Sequence, residues 1–212
     1  MAIIPTGNAD IAALGLRVAN AWANHPSLTL SWITQADAVT LTTNYSNAIL
    51  QTSQTKVTGR SRIRTLKDLD KTINDNLFLL KQLIQVEYGK KQLQSHYADF
   101  GIIKEDRTYK LPTDRDKRLE ALRLMTSSLA TAPFQAHPYG EAYWQNILTQ
   151  YIAEKTALEI QVGQVSVKVQ DKIHLKKQVL ELLRAIRLIV LANYRDNAKD
   201  ILRTFGYLDE RV

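Results

Sequence analysis

The chain contains no cysteine, and this one absence removes disulfides, thiol catalysis and thiolate metal sites together. Glycine and proline are also scarce, 8 and 5 among 212 residues, which argues against a loop-rich or disordered protein. No long hydrophobic run occurs. The most apolar stretch, 179–192, is broken by Glu181, Arg184 and Arg187, so no membrane span is expected, and the opening residues lack the basic segment of a secretory leader. Nucleophile-elbow, phosphate-loop, dinucleotide and zinc-protease signatures are all missing. No Glu is followed three residues later by His, which excludes the di-metal carboxylate bundle. These absences point to a cytoplasmic chain with no cofactor, no metal and no catalytic residues.

What is present is helix-forming sequence that says one thing twice. His25-Pro26 is followed by Trp32, and His137-Pro138 by Trp144 at the same spacing. Four His and five Pro predict only about 0.1 His-Pro dipeptides by chance, so the pair suggests an internal repeat. Further along, 68–83 lies over 171–186, matching Leu77, Leu79 and Leu80 with Leu180, Leu182 and Leu183. Tyr88 meets Tyr194, and Phe100-Gly101 meets Phe205-Gly206. The expected fold is all-α, an elongated six-helix bundle of two tandem three-helix repeats. Residues 1–103 form the first unit, 104–113 a polar linker, and 114–212 the second.

Within each unit the signals predict three helices. Asn8 is placed as cap of a helix over 9–23, and Thr113 with Asp116 as the start of its counterpart from 114. Pro26 and Pro138 suit the first turn of second helices over 27–53 and 139–161. Third helices are expected over 65–100 and 169–205, with Gly101 and Gly206 as left-handed stops. Between second and third helices, a helical turn is favoured at the β-branched segments around Gly59 and Gly163, whose partial alternation also allows a short extended piece or a two-stranded pairing between the repeats.

The candidate functional residues fall into two groups. His25 with Trp32 and His137 with Trp144 could line one ligand or interface recess per repeat, an imidazole beside an indole, although core anchoring is the stronger account of the tryptophans. Lys56, Arg60, Arg62, Arg64, Lys67 and Lys71 crowd one segment against Asp68 and Asp70 in a chain of net charge +7, and Arg-x-Arg-x-Arg could meet successive phosphates if extended. The pairs His96 with Asp99 and Asp171 with His174 read as surface partners. Off-stripe apolar residues Val162, Val165, Val167, Leu180, Leu188 and Leu191 exceed what one intrachain face covers. The leading expectation is a non-enzymatic structural or protein-interaction chain that forms a homo-oligomer or binds another protein. An anion or nucleic-acid-binding module on the basic cluster is the second reading, and a small-ligand or enzyme site at the His/Trp positions is the third.

Overall fold

The computed structural model describes residues 2–91 and 93–209 and is all-α apart from short strand pairs. The order is β1 (Ala2–Ile3), α1 (Asn8–Trp22), α2 (Gln35–Tyr88), α3 (Leu93–Asp99), β2 (Ile103–Glu105), β3 (Thr108–Lys110), α4 (Arg115–Leu129), α5 (Glu141–Asn193), α6 (Ala198–Thr204) and β4 (Leu208–Asp209). Two compact units form, Met1–Val57 with Val162–Val212, and Thr58–Gln161. Each draws on both sequence halves, taking part of α2 and part of α5.

In the first of these units, α1 supplies Ile11, Leu14, Val18 and Trp22 to a core shared with Ala38 and Tyr45 of α2 and Val179, Leu183, Ile186 and Val190 of α5. Packing is close at Gly15, where an added Cβ would stand 3.0 Å from both Thr42 Cγ2 and Val179 Cγ1. The strands β1 and β4 pair antiparallel, Ile3 opposite Leu208. In the unit Thr58–Gln161, Leu66, Ile73, Leu77, Leu80 and Ile84 of α2 pack with Leu122, Met125 and Leu129 of α4 and with Trp144 and Tyr151 of α5. The polar segment after α3 forms a β2–β3 hairpin whose corner, Asp106 and Arg107, has φ of 49° and 67°.

Several local expectations need correction. Gly59 and Gly163 lie inside continuous helices, with no extended piece or strand pairing at either. A helical glycine costs only about 1 kcal/mol relative to alanine, and Thr52, Ser53 and Thr55 turn their hydroxyls back to carbonyls four residues earlier. Side-chain polarity that reads as a break is thereby absorbed inside the helix. Pro26 and Pro138 sit in turns ahead of α2 and α5, not in their first turns. The cap of α1 is Gly7, while Asn8 begins the helix and points its side chain elsewhere. For α4 the cap is Asp114, which accepts from the backbone N–H of Asp116 and Lys117 at 3.1 and 3.0 Å. Those hydrogen bonds, Lys117's first, hold its carboxyl below the usual range.

The glycine stops stand as expected. Gly101 and Gly206 have φ of +68° and +89°, and each closes a double-bonded helix end: Ile102 N–H donates to Tyr97 O and Gly101 N–H to Ala98 O, while Tyr207 donates to Leu202 O and Gly206 to Arg203 O. They stop the short α3 and α6, however, because α2 has already ended at Gly89, φ +73°, and α5 at Asn193. Element lengths recur, 15, 54 and 7 residues for α1 to α3 and 15, 53 and 7 for α4 to α6. Buried positions recur as well. Tyr45 and Tyr151, Ile73 and Val179, Leu77 and Leu183, Leu80 and Ile186, and Ile84 and Val190 each stand 106 positions apart, three more than the interval read from the leucines alone.

Candidate functional site

The His-Pro elements do not build two like recesses. His25 is half-buried, stacked on Phe205 at 5.1 Å and edge-on to Tyr194 at 6.0 Å, whose hydroxyl lies 3.5 Å from Nδ1. Trp32 is 53% exposed and lies before α2, and among the described residues no ring contact joins it to His25. His137 is exposed, and its Nδ1 accepts the Tyr139 backbone N–H at 3.1 Å. Trp144 is fully buried against Tyr143 at 5.5 Å, and its indole nitrogen has no hydrogen-bond partner. The reason is local. The helix α5 begins three residues after Pro138, which carries Trp144 onto a core-facing turn, whereas the chain between Pro26 and Gln35 makes a loop, with Leu28 inserted and Leu30 bridged to Ile33. In that loop the indole that counts is Trp22, which donates to Leu28 O at 2.6 Å.

The basic segment is helical rather than extended, so consecutive Arg-x-Arg side chains point about 200° apart. Arg62 is thereby turned inward, its Nη1 donating to Glu154 at 3.2 Å, and it leaves the candidate anion set. Arg60, Arg64, Lys67 and Lys71 are exposed on α2 in the unit Thr58–Gln161, and none of the described carboxylates lies within ion-pair distance of them. Lys56, also exposed, belongs to the other unit.

Two polar clusters escaped sequence reading because their members are far apart in the chain. In the unit Thr58–Gln161, Asp70 accepts from Arg118 at 2.5 Å and from Tyr151 at 3.1 Å, with Arg115 at 3.7 Å. Arg118 also donates to Pro112 O at 2.6 Å. Burial first, then the Asp70 charge, pushes the Tyr151 hydroxyl up to about 12. In the other unit Asn8 accepts from Tyr45 at 3.2 Å and from Lys176 at 2.9 Å. Both arrangements place a buried tyrosine hydroxyl on a polar side chain, Tyr151 on Asp70 and Tyr45 on Asn8. Each ties helices together, Asp70 joining α2 to α4 and α5, and Asn8 joining α1 to α2 and α5.

Grooves are present on both units. One between α2 and α5, of about 410 Å³, is lined by Asn44, Gln51, Lys168, Asp171 and His174, with Lys168 donating to Gln51 at 2.9 Å. Another, of about 640 Å³, runs between the hairpin and α4, where Ile103 and Leu124 are exposed. His96 lies 3.4 Å from Asp99 and stacks on Tyr88 at 3.9 Å. Among the described residues no group of three His, Asp or Glu could hold a metal ion, and no helix is long and apolar enough to cross a membrane. Compared with known proteins, the chain matches no family model, no curated protein and no solved structure.

Proposed function

We propose that the chain is a non-enzymatic, cytoplasmic interaction protein that self-associates through the part of α5 from Val162 to Leu191. One observation carries this reading. Val162, Ile173 and Leu191, separated by whole helical turns, fall within about 20° of one another on α5 at 100° per residue, and they are 61%, 53% and 42% exposed. This line runs about 100° round the helix from the buried stripe of Val179, Leu183, Ile186 and Val190. Leu188 is exposed beside it, and the aliphatic stems of Lys177 and Arg184 flank it. Aligned apolar side chains left in water mark an association face. Of the residues expected to exceed intrachain cover, Val162, Val167, Leu188 and Leu191 are exposed, while Val165 and Leu180 are half-buried.

The recurring element lengths and the 106-residue interval between buried positions support descent from a duplicated three-helix unit. In such a protein one copy of a surface can be kept for association while the other changes. Light scattering tests the reading. The expected mass exceeds 24.1 kDa and rises with concentration, and Ile173→Lys with Leu191→Lys returns it to 24.1 kDa. A 24.1 kDa species at every concentration rejects self-association.

A further inference from the structure

We propose that the outer face of the second half of α2, in the unit Thr58–Gln161, binds the phosphodiester backbone of nucleic acid through Arg60, Arg64, Lys67 and Lys71. This goes beyond the self-association above and rests on a different helix segment in the other compact unit. With Arg60 as origin at 100° per residue, Lys67, Lys71 and Arg64 lie at about −20°, +20° and +40°. All four are exposed. The same arc continues through Phe78, Gln82 and Gln85, which are exposed as well. No acid lies within it.

The nearby carboxylates are accounted for. Asp68 and Asp75 lie on one flank, at about +80° and +60°, outside ion-pair distance of the four cations. Asp70 faces the other way, held by Arg118, Arg115 and Tyr151, and Glu154 is taken by Arg62. Arg60 with Arg64, and Lys67 with Lys71, are like charges one turn apart, a spacing that disfavours a helix by itself. Nothing in the unit's packing uses these four side chains. A polyanion would.

The geometry favours nucleic acid over an anionic membrane. A helix lying on a membrane inserts its own apolar face, but here that face, Leu66, Leu69, Ile73, Leu77, Leu80 and Ile84, forms the core of the unit. The exposed arc itself carries arginine, lysine and amides, the side chains that contact phosphate and sugar, with Phe78 as its one large apolar residue. From Arg60 to Lys71 the helix rises about 16 Å, over which one strand of a duplex presents about five phosphates. Phe78, on the same line, offers a ring on which an unpaired base can stack.

The test is fluorescence anisotropy with the full chain, using a labelled DNA duplex and the corresponding single strand across a salt series. Affinity is expected to fall with salt, and replacing Arg60, Arg64, Lys67 and Lys71 together by Gln should lower it at least tenfold. Removing four phosphate contacts should also flatten the logarithmic salt slope by about 3.6 for a duplex. Circular dichroism of that variant should match the parent, since all four side chains are exposed. A control with Lys117, Arg123, Arg195 and Lys199, all exposed, changed to Gln carries the same net charge and should bind as the parent does. Binding of either DNA form supports the proposal, and the tighter one identifies the form recognised. The proposal is overturned by no binding at the lowest salt, by an equal loss in the control, or by equally tight binding to phosphatidylserine vesicles or polyglutamate. Because the α5 line is untouched by these substitutions, failure here leaves the self-association result standing.

Discussion

The guanidinium of Arg118 lies 2.5 Å from the carboxylate of Asp70, the first on α4 and the second on α2, and its side chain is only 4% exposed. Burying a charge this deeply is tolerated because Pro112 O and Asp70 together satisfy it. The two partners are not equivalent. Asp70 has Arg115 and Tyr151 as further partners, whereas among the described residues Arg118 has no second carboxylate.

Asp70→Ala is therefore expected to destabilise the chain by about 3 kcal/mol, leaving a buried guanidinium uncompensated. Arg118→Met should cost less, about 1–2 kcal/mol, since Asp70 keeps its other donors and the methionine fills much of the space. Urea unfolding of the two variants orders them. A larger loss for Arg118→Met would mean that the Pro112 contact, not the ion pair, holds α4.

Alkaline pH should unfold the protein in a tyrosine-dependent way. Tyr151 is pushed up to about 12 by burial and by Asp70, and burial pushes Tyr207 higher still, so both stay protonated in the folded chain after the unfolded chain has ionised. The unfolded state then holds fewer protons, and stability falls as pH rises. The contribution of Tyr151 is fully present below pH 10, the ordinary tyrosine value, and is lost as pH approaches about 12. A shift of this size corresponds to about 2–3 kcal/mol. Tyr151→Phe should reduce the stability lost between those limits in a pH series of denaturation midpoints. An unchanged slope would assign the alkaline loss to other groups.

Three glycines should respond in opposite senses to alanine. At Gly101 a Cβ would stand 2.6 Å from the Ala121 carbonyl oxygen, with φ already +68°, so Gly101→Ala should cost about 3 kcal/mol or more. Gly206→Ala meets only the flexible Arg17 side chain at 3.3 Å, and the left-handed backbone alone should cost about 1–2 kcal/mol. Gly163→Ala lies mid-helix with open space around it and should stabilise by about 0.5–1 kcal/mol. Thermal melts check all three. A destabilised Gly163→Ala would argue for a break in α5 at that position.

The tryptophans should separate by accessibility. Acrylamide is expected to quench Trp32 readily and Trp22 and Trp144 poorly, because the latter two are 5% and 0% exposed. Trp32→Phe should remove the quenchable component without loss of stability, and Trp144→Phe should leave it in place. Equal quenching of all three would contradict the loop placed between Pro26 and α2.

The sequence by itself determined the helical class and the glycine stops, because these depend on short-range chemistry. Periodic apolar residues make one buried stripe wherever a helix forms, and Phe-Gly followed by an apolar residue closes a helix end at Gly101 and Gly206 alike. The interval between recurring positions was harder to read. A slip of three residues moves a helical position by only about 60°, so Leu77, Leu79 and Leu80 align plausibly with Leu180, Leu182 and Leu183. Burial recurs at the other interval, at Leu77 and Leu183 and at Leu80 and Ile186. Only the tertiary structure decided which indole is buried, because the fate of Trp32 and Trp144 depends on where the following helix starts and what it packs against. The same is true of the basic segment. Of six cations in sequence, four form one exposed arc, Lys56 falls in the other unit and Arg62 turns inward once α2 runs unbroken through Gly59, and the partner of Arg62, Glu154, lies 92 residues away in the chain.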